Sequence, residues 1–492
     1  MSNIAKKSIF NWHLIIGMIS AMKIAFYRLI IFIAIFGWSI SACAQSSNNT
    51  NQGSTTPAEI PTAILTPTIS PTMTEVSEDS LPGKISSGIT LDFWHPWSGE
   101  MANLIEEMVG EFNKTNEWGI TVNAEFHSDE IVFIDDMNQV IKEGNPPELI
   151  VAPSFYLRFL EEHGFVLQDL VNFIESPVWG FSNDEIASFL PVFWDADISL
   201  SKRLGIPAYR SGYLIFYNLT WARELGFSQS PFKLEDFKNQ TCKAGSTYLN
   251  DSDLNNNGTG GWVYSYNPYA FYSWLKAFGG GSKADGNKTN TLGRNENVNS
   301  GTYLYDLFLD NCAWIGRQQQ PYEYFANRQA LAYSGKMEDI LTQERVNELN
   351  NSSDQYSVLP YPSNSSNPVI LVDGDSYAIT TNNEEKALAA WAFIRWMLNP
   401  ENQVRVVEES GTYPLSSTAM EMLNGYKIKH PAWAAALQYL QLAQNAPDDS
   451  NWGLTKEVLA DISWKLIQYT TKRDDVPVIF MDAQNLLSEL TQ

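Results

Sequence analysis

Histidine and cysteine are scarce in this sequence. Its 492 residues include five histidines and three cysteines, and no histidines are spaced as a metal site. Basic residues are also few: 32 lysines and arginines stand against 56 aspartates and glutamates, so the formal net charge is −24. So acidic a chain lacks the basic patches that nucleic-acid phosphates require. Composition therefore excludes nucleic acid as a partner, and nothing in it predicts a metal or a cofactor.

The apolar run near the N-terminus is short. In "MKIAFYRLIIFIAIFGWSISAC" two basic residues, Lys23 and Arg28, precede the apolar stretch Leu29–Trp38. A bilayer-spanning helix needs about 20 apolar residues, so this stretch is too short to cross. A charged start, a short apolar core and small residues before a cut are typical of a secretory signal. We therefore predict a signal peptide over residues 1–42, and a start at Met22 would make it a more ordinary one.

The signal ends in Ile40-Ser41-Ala42-Cys43, which resembles the bacterial lipobox. In that motif the cysteine is acylated and becomes the mature N-terminus. We expect lipidation of Cys43 and an extracytoplasmic protein anchored to the membrane by its lipid. The alternative is a signal anchor with an incidental cysteine.

Residues 43–87 contain almost no aromatic side chains. They are rich in Ser, Thr, Asn and Pro, a composition that cannot bury enough apolar surface to offset the entropy of ordering. We predict a disordered tether behind the lipidated cysteine. The remaining chain is long enough for two ordinary domains. The two cysteines within it, Cys242 and Cys312, form one disulfide or remain free thiols, and both interpretations stay open.

Apolar patterning of the body alternates strands with helices. "ITLDFWHPW", "GITVNAEF" and "ELIVAPS" are predicted strands, and the segments between them have helical spacing. Two more helices are predicted on either side of Asn399-Pro400, with Gly411 as the stop. Alternation of this kind indicates α/β layers with parallel sheets. Three tryptophans are predicted in the core: Trp391, Trp396 and Trp464.

Six segments, in order, resemble one known family. They are "LDFWHPWSGE", "NPPELIVA", "GIPAYRSGYLIFYN", "YFANRQALAYSGKM", "LVDGDSYAIT" and "KALAAWAFIRWMLNPENQVRVVEESGTYPLSS". The chain is similar to the extracellular solute-binding proteins of carbohydrate-type ABC importers, which include the periplasmic glycerol-3-phosphate-binding and maltose-binding proteins. The resemblance implies an α/β fold of two lobes, each a mostly parallel sheet flanked by helices, with a ligand cleft between them.

The resemblance also implies domain limits, partners and an activity. Lobe one would be residues 88–207 plus 375–425, and lobe two residues 208–374 plus 426–492. The protein would be a monomer and not an enzyme. It would capture a sugar or oligosaccharide and deliver it to ABC permease subunits by hinge closure. Glycerol 3-phosphate or a glycerophosphodiester is the alternative ligand of the same class, and a secreted polysaccharide hydrolase is the less favoured alternative function.

Site residues follow from the rule that ligands bind beyond the carboxyl ends of parallel strands and at helix N-termini. Sugar recognition needs aromatic faces and planar polar groups for adjacent hydroxyls. The predicted ligand-binding residues are Trp94, His95, Ser98, Ser154, Tyr209, Arg210, Trp274, Gly280, Gly335, Asp373, Gly374, Asp375 and Tyr413.

Several of these residues have a structural interpretation as well. Trp274 would equally be a core residue, His95 a loop cap, and Arg210 a hinge salt bridge. A phosphate ligand needs strong anion donors, ideally an Arg fork, and "NWGLTKEVLADISW", where the resemblance implies a phosphate-binding arginine, contains none. A neutral sugar is therefore favoured. "DLNNNG" (253–258) resembles half of a calcium loop, but Tyr264 stands where the bidentate Glu should be, so a turn is favoured.

Overall fold

The computed structural model describes residues 81–127, 130–199, 202–282, 290–318, 320–364 and 368–491. The predicted signal peptide, Cys43 and most of the predicted tether lie outside these residues. None of the described helices combines the length and the apolar character that a membrane span requires.

The N-terminal third of the body alternates strands with helices, as its patterning predicts. Its strands are β1 (Thr90–His95), β2 (Thr121–Phe126), β3 (Leu149–Pro153), β4 (Ile198–Ser199), β5 (Lys202–Arg203) and β6 (Ile206–Pro207). Its helices are α1 (Gly99–Thr115), α2 (Glu130–Glu143), α3 (Ser154–Glu162), α4 (Val171–Ile174), α5 (Asn183–Ser188) and α6 (Pro191–Trp194).

The middle third repeats the alternation around a longer central strand. Its strands are β7 (Ser211–Asn218), β8 (Gly260–Val263), β9 (Ala313–Trp314), β10 (Ala330–Lys336), β11 (Tyr356–Leu359) and β12 (Ile370–Asp373). Its helices are α7 (Leu219–Glu224), α8 (Leu234–Leu249), α9 (Pro268–Ala277), α10 (Asn295–Leu309), α11 (Tyr322–Ala326) and α12 (Asp339–Leu349).

The C-terminal part is mainly helical. Its strands are β13 (Asp375–Ile379) and β14 (Ala443–Asn445). Its α-helices are α13 (Glu384–Met397), α14 (Pro400–Ser410), α15 (Ser417–Met422), α16 (Asn424–Lys429), α17 (Pro431–Leu437), α18 (Trp452–Leu466) and α19 (Val476–Leu490). Asn399 caps α14 by accepting a hydrogen bond from the backbone N–H of Asn402, and Gly411 ends it in the left-handed conformation (φ 74°), as predicted.

The strands form two main sheets. The first has five strands in the order β2-β1-β3-β13-β6. The second has seven, in the order β14-β12-β7-β10-β8-β9 with β11 also paired to β7. We call each sheet with its helices the first and the second lobe. The predicted two-lobed α/β fold is confirmed. The sheets are mixed, because β7 and β13, which follow the crossings between lobes, run antiparallel to their neighbours.

Adjacent strands carry the chain between the lobes. β6 belongs to the first sheet and β7 to the second, and Tyr209 and Arg210 lie between them. β12 belongs to the second sheet and β13 to the first, with Gly374 as the one residue between. A Cβ atom at Gly374 would lie 2.3 Å from the carbonyl oxygen of Tyr209, so the two crossings touch backbone to backbone. They form the hinge.

Side chains alternate between two hydrophobic clusters, one on each face of the sheets. On β7, Leu214 and Phe216 pack on one face and Tyr213 and Ile215 on the other. Trp391 is fully buried, as predicted. The prediction for Trp464 was wrong: its side chain is 50% exposed, because it lies on the outer face of α18.

A disulfide joins Cys242 on α8 to Cys312, which immediately precedes β9. The structure thus selects the bridged alternative over two free thiols.

Candidate functional site

A large cavity opens between the two lobes beside the hinge. Its volume is about 1110 Å³. The loop after β1 supplies Trp97 and Ser98, and the hinge supplies Tyr209. From the second lobe come Glu338 and Arg345. The cavity therefore lies where the carboxyl end of a parallel strand faces a second lobe, which is the position expected for a ligand site. Ser98 and Tyr209 are the predicted site residues that line it.

Acidic and aromatic side chains lie close together beside the hinge. We call this surface, formed by Tyr209, Ser211, Lys336, Glu338 and residues 373–375, the hinge wall. The Tyr209 hydroxyl donates a hydrogen bond to Asp375 Oδ2 at 3.1 Å, and the Ser211 hydroxyl donates one to Glu338. Burial and the nearby Asp373 raise the pKa of Asp375 to about 7. Burial also raises the pKa of Glu338. Carboxyls whose charge is this poorly solvated gain from any hydroxyl that donates to them.

Lys336 is the cation of this wall. It ends β10, and its Nζ lies 5.4 Å from the centre of the Tyr213 ring. Glu338 and Asp373 are close enough to stabilise its charge. Lys336 and its neighbour Gly335, a predicted site residue, also line a separate cavity of about 700 Å³ in the second lobe. The lysine is therefore held among carboxylates.

A second lysine forms an ion pair between the two lobes. Lys456 on α18 donates to both carboxylate oxygens of Glu130 on α2, at 2.6 and 2.7 Å. Its Nζ also lies 4.6 Å from the ring centre of Phe155 and 5.3 Å from that of Tyr269. Our sequence reasoning missed Lys456 because it looked for an arginine in this segment. The available signal was a lysine in the first turns of a tail helix.

The guanidinium group of Arg210 is hydrogen-bonded to groups around the hinge. Its Nη1 donates to the backbone oxygens of Tyr209 and Asp375, and its Nη2 donates to Asp197 Oδ2 at 3.0 Å and to Ser376 Oγ at 2.8 Å. The side chain is 2% exposed. Of the two interpretations offered by the sequence, the structure favours the hinge salt bridge, because a guanidinium with these partners has little left to offer a ligand.

Trp94 and His95 lie away from the large cavity. Trp94 packs in the hydrophobic cluster that contains Phe133 of α2, and its ring centroid lies 3.8 Å from that of His127. His95 is buried next to Trp97, and burial followed by the charge of His127 lowers its pKa to about 4. Of the two tryptophans near the end of β1, Trp97 is the one that lines the cavity, because it lies in the loop after the strand.

The remaining predicted residues fall into two groups. Ser154, Asp373 and Gly374 line a cavity of about 340 Å³ on the other side of Arg210. Trp274, Gly280 and Tyr413 are buried, and the structure does not bring them to the large cavity. Trp274 packs edge-on against Trp262 and Tyr361 inside the second lobe, because its face of α9 turns inward. These contacts support the interpretation of Trp274 as a core residue.

The calcium-like segment forms an Asn/Asp turn. Asp253 Oδ1 accepts hydrogen bonds from the backbone and side-chain nitrogens of Asn255, and Asp251 Oδ2 accepts one from Asn256. Within the described ranges, no cluster of three or more His, Cys, Asp or Glu side chains could hold a metal ion.

Solved structures share this architecture, although no curated protein sequence matches the chain significantly. The cyclic alpha-maltosyl-1,6-maltose binding protein of Arthrobacter globiformis is 16% identical, covers 81% of this chain and 98% of its own, and superposes with a TM-score of 0.66. The sugar-binding protein MalE of Xanthomonas citri is 14% identical, with coverages of 82% and 98% and a TM-score of 0.67. UgpB of Mycobacterium tuberculosis, solved with glycerophosphocholine, is 16% identical, with coverages of 82% and 99% and a TM-score of 0.65.

A family profile covers most of the folded body. Residues 107–457 match the family described as bacterial extracellular solute-binding protein. This match begins in α1, ends in α18 and spans both lobes and the hinge. The family consists of extracytoplasmic binding proteins for transport and not of enzymes. The chain belongs to the bacterial extracellular solute-binding proteins.

Proposed function

We propose that the protein binds a neutral sugar or oligosaccharide in the cavity between its lobes and delivers it to an ABC permease. The observation that carries the proposal is the composition of the site. Carboxyl groups and aromatic rings meet at the hinge wall, while the buried arginine beside them is already paired. Such groups suit a ligand that has many hydroxyls and no charge.

Each part of a sugar ring has a counterpart in this wall. Carboxylate oxygens accept hydrogen bonds from adjacent hydroxyls, and each such charge-assisted bond contributes about 1.5–3 kcal/mol. Glu338, which lines the cavity together with Tyr209, is the proposed acceptor. Aromatic faces cover the C–H surface of the ring, and Trp97 and Tyr209 are the proposed stacking residues. The cavity volume of about 1110 Å³ has room for an oligosaccharide.

Three structural neighbours support a saccharide. The Arthrobacter globiformis protein is described as binding cyclic alpha-maltosyl-1,6-maltose, and the Xanthomonas citri protein as sugar-binding. A third protein, MalE of Bdellovibrio bacteriovorus, was solved with maltotriose. The neighbour solved with glycerophosphocholine supports the alternative, a glycerophosphodiester. In this chain Arg345 and Lys429 line the cavity and would meet a phosphate, but Glu100, Glu338, Glu408 and Glu409 line it too. That acidic excess disfavours an anion.

The N-terminal sequence suggests that the protein is held at the membrane. We propose that Cys43 carries the lipid, that residues 43–87 act as the tether, and that a monomer exchanges ligand with the permease. We further propose lobe limits of 88–207 plus 375–425 and 208–374 plus 426–492. No hydrolysis is proposed: Asp373 and Asp375, the carboxyls that a hydrolase would use, lie one residue apart at the hinge, where they do not straddle a scissile bond.

A screen and a calorimetric series test the ligand class. Thermal shift against mono- and oligosaccharides and glycerol phosphates finds the ligand, because binding to the folded state alone raises the melting temperature. Titration of the hit at low and high salt then gives its free energy of binding. For a neutral sugar, Trp97→Ala should cost about 2 kcal/mol or more and Glu338→Gln about 1.5–3 kcal/mol, with little salt dependence.

The matched control is Trp464→Ala, which removes a half-exposed tryptophan outside the cavity and should leave binding unchanged. A phosphate ligand would behave differently: Arg345→Gln would weaken binding most, and affinity would fall with ionic strength. Strong salt dependence together with normal binding by Trp97→Ala would overturn the sugar assignment.

A further inference from the structure

A second pocket lies at the outer edge of the second lobe, away from the hinge. Its volume is about 670 Å³. It runs along β9, the edge strand of the second sheet, between α10 and the segment that follows α18. Its residues all lie between Asn255 and Thr471, and none comes from the five strands of the first sheet. Ligand binding there would therefore not require the lobes to close.

Aromatic rings line this pocket. Trp314 and Tyr324 meet edge to face, with ring centroids 4.8 Å apart, and Phe308 and Tyr469 lie 6.0 Å apart. Tyr469 is 95% exposed, so its ring is left uncovered by the residues that the structure describes. A solvated aromatic ring beside a preformed pocket is available for stacking.

Hydrogen bonds fix the segments around these rings. The Tyr324 hydroxyl accepts hydrogen bonds from the backbone N–H groups of Arg317 and Gln318, which fixes the loop after β9. The Tyr305 hydroxyl donates to the backbone oxygen of Thr471 at 3.1 Å, which ties α10 to the segment that carries Tyr469. The pocket is therefore preorganised, and a ligand would not have to pay for ordering it.

Amide side chains supply the polar part of the lining. The pocket contains the amides of Asn255, Asn257, Asn311, Gln329 and Gln468. Its residues include one arginine and no carboxylate, although the whole chain has a net charge of −24. Planar amides donate and accept at once and match neighbouring hydroxyls. Rings together with uncharged amides suit a neutral carbohydrate better than an acidic or a basic peptide.

We infer that this pocket is a second saccharide-binding site, independent of the cavity between the lobes. It would hold a neutral linear oligosaccharide against Trp314 and Tyr469. Arg317 lines both this pocket and the 700 Å³ cavity of the same lobe. A long chain bound here could thus continue towards the inner side of the lobe. The inference does not depend on the identity of the transported ligand.

Fluorine NMR of 5-fluorotryptophan-labelled protein tests the site. The Trp314 signal is assigned from the spectrum of Trp314→Phe. The probes are malto-, cello-, manno- and xylohexaose at millimolar concentration. At least one of them should shift the Trp314 signal. Tyr469→Ala should weaken that binding by about tenfold or more, and, because the side chain is 95% exposed, it should leave the fold intact.

Two controls separate this site from the cleft. Ile428→Ala, a change at another exposed apolar residue, should leave the Trp314 shift unchanged. Trp97→Ala should leave it unchanged as well, even where that variant no longer binds the transported ligand. The inference is overturned if no hexasaccharide moves the Trp314 signal. It is overturned equally if Trp97→Ala abolishes the shift while Tyr469→Ala binds normally, because the signal would then report closure of the lobes.

Discussion

Asp375 illustrates how a single buried carboxyl makes the stability of the protein depend on pH. Its pKa is raised from 3.8 to about 7. The folded protein therefore holds a proton that the unfolded chain releases. The resulting stabilisation is fully present below about pH 4 and is lost as the pH rises towards 7. In the wild type, the free energy of unfolding should fall by about 2–4 kcal/mol between about pH 4 and pH 7 because of this group. We expect this fall to be absent in Asp375→Asn. Urea unfolding at several pH values measures it.

His95 provides the control of opposite sign. Its pKa is lowered from 6.5 to about 4, so its contribution is present above about pH 6.5 and is lost as the pH falls towards 4. His95→Phe should therefore reduce the loss of stability as the pH falls from about 6.5 to 4. Asp375→Asn should reduce the loss of stability as the pH rises from about 4 to 7. Identical pH profiles for the wild type and Asp375→Asn would contradict the assignment of a raised pKa to Asp375.

Residue contacts also show where sequence reasoning stops. Trp94 and Trp97 lie three positions apart around one strand end, and both could be assigned to the site from the rule for strand ends. The direction of each side chain decides between them, and it depends on helix α2, which packs on Trp94, and on the loop that turns after His95. Lys456 comes close to Glu130 only through the docking of two helices from different lobes.

The elements themselves were largely predictable, because each carries its own periodicity and its own stops. β3 is a continuous apolar run and is buried along its whole length. α14 begins at Pro400 behind an Asn cap and ends at a glycine. Pairing between distant segments could not be read from periodicity. The bond between Cys242 and Cys312 is an example, since spacing leaves the thiol and disulfide forms equally open.

That disulfide secures a closely packed corner of the second lobe. It closes a separation of 70 residues. Beside it, a Cβ atom at Gly245 would lie 2.2 Å from the carbonyl oxygen of Asn311, and one at Gly261 would lie 2.0 Å from that of Cys312. We expect the double variant Cys242→Ala, Cys312→Ala to unfold with a free energy lower by about 2–4 kcal/mol. Thermal unfolding with and without reductant measures this, and a wild type unaffected by full reduction would refute it.

At the scale of the whole molecule, pairs across the cleft should govern closure. Besides Lys456 and Glu130, Arg158 of α3 donates to Asp448 at 2.6 Å. These contacts must break for the lobes to separate by hinge rotation. Small-angle scattering should give a smaller radius of gyration with ligand than without it. Glu130→Gln should weaken binding and enlarge the fraction of open molecules. An unchanged radius at saturation would instead indicate a rigid site.

The proposed membrane attachment concerns the whole molecule but depends on one atom, the sulfur of Cys43. We expect Cys43→Ser to release the protein from the membrane fraction with its melting temperature unchanged, because the acylated sulfur is the proposed anchor. Fractionation after a carbonate wash measures the release. Continued membrane association of the variant would identify the N-terminal segment as a transmembrane anchor.

The position of β12 and β13 has a consequence for biosynthesis. These two strands, separated by Gly374 alone, are interior strands of different sheets: β12 lies between β14 and β7, and β13 lies between β3 and β6. Neither sheet can be completed on the nascent chain before residue 375 has left the ribosome. More than two thirds of the polypeptide thus stays without a finished lobe during synthesis, which suits threading through a secretion channel as an unfolded chain. A chain truncated by a stop codon before residue 370 would lack an interior strand in both lobes. We expect such a chain to remain unfolded and to be degraded by proteases.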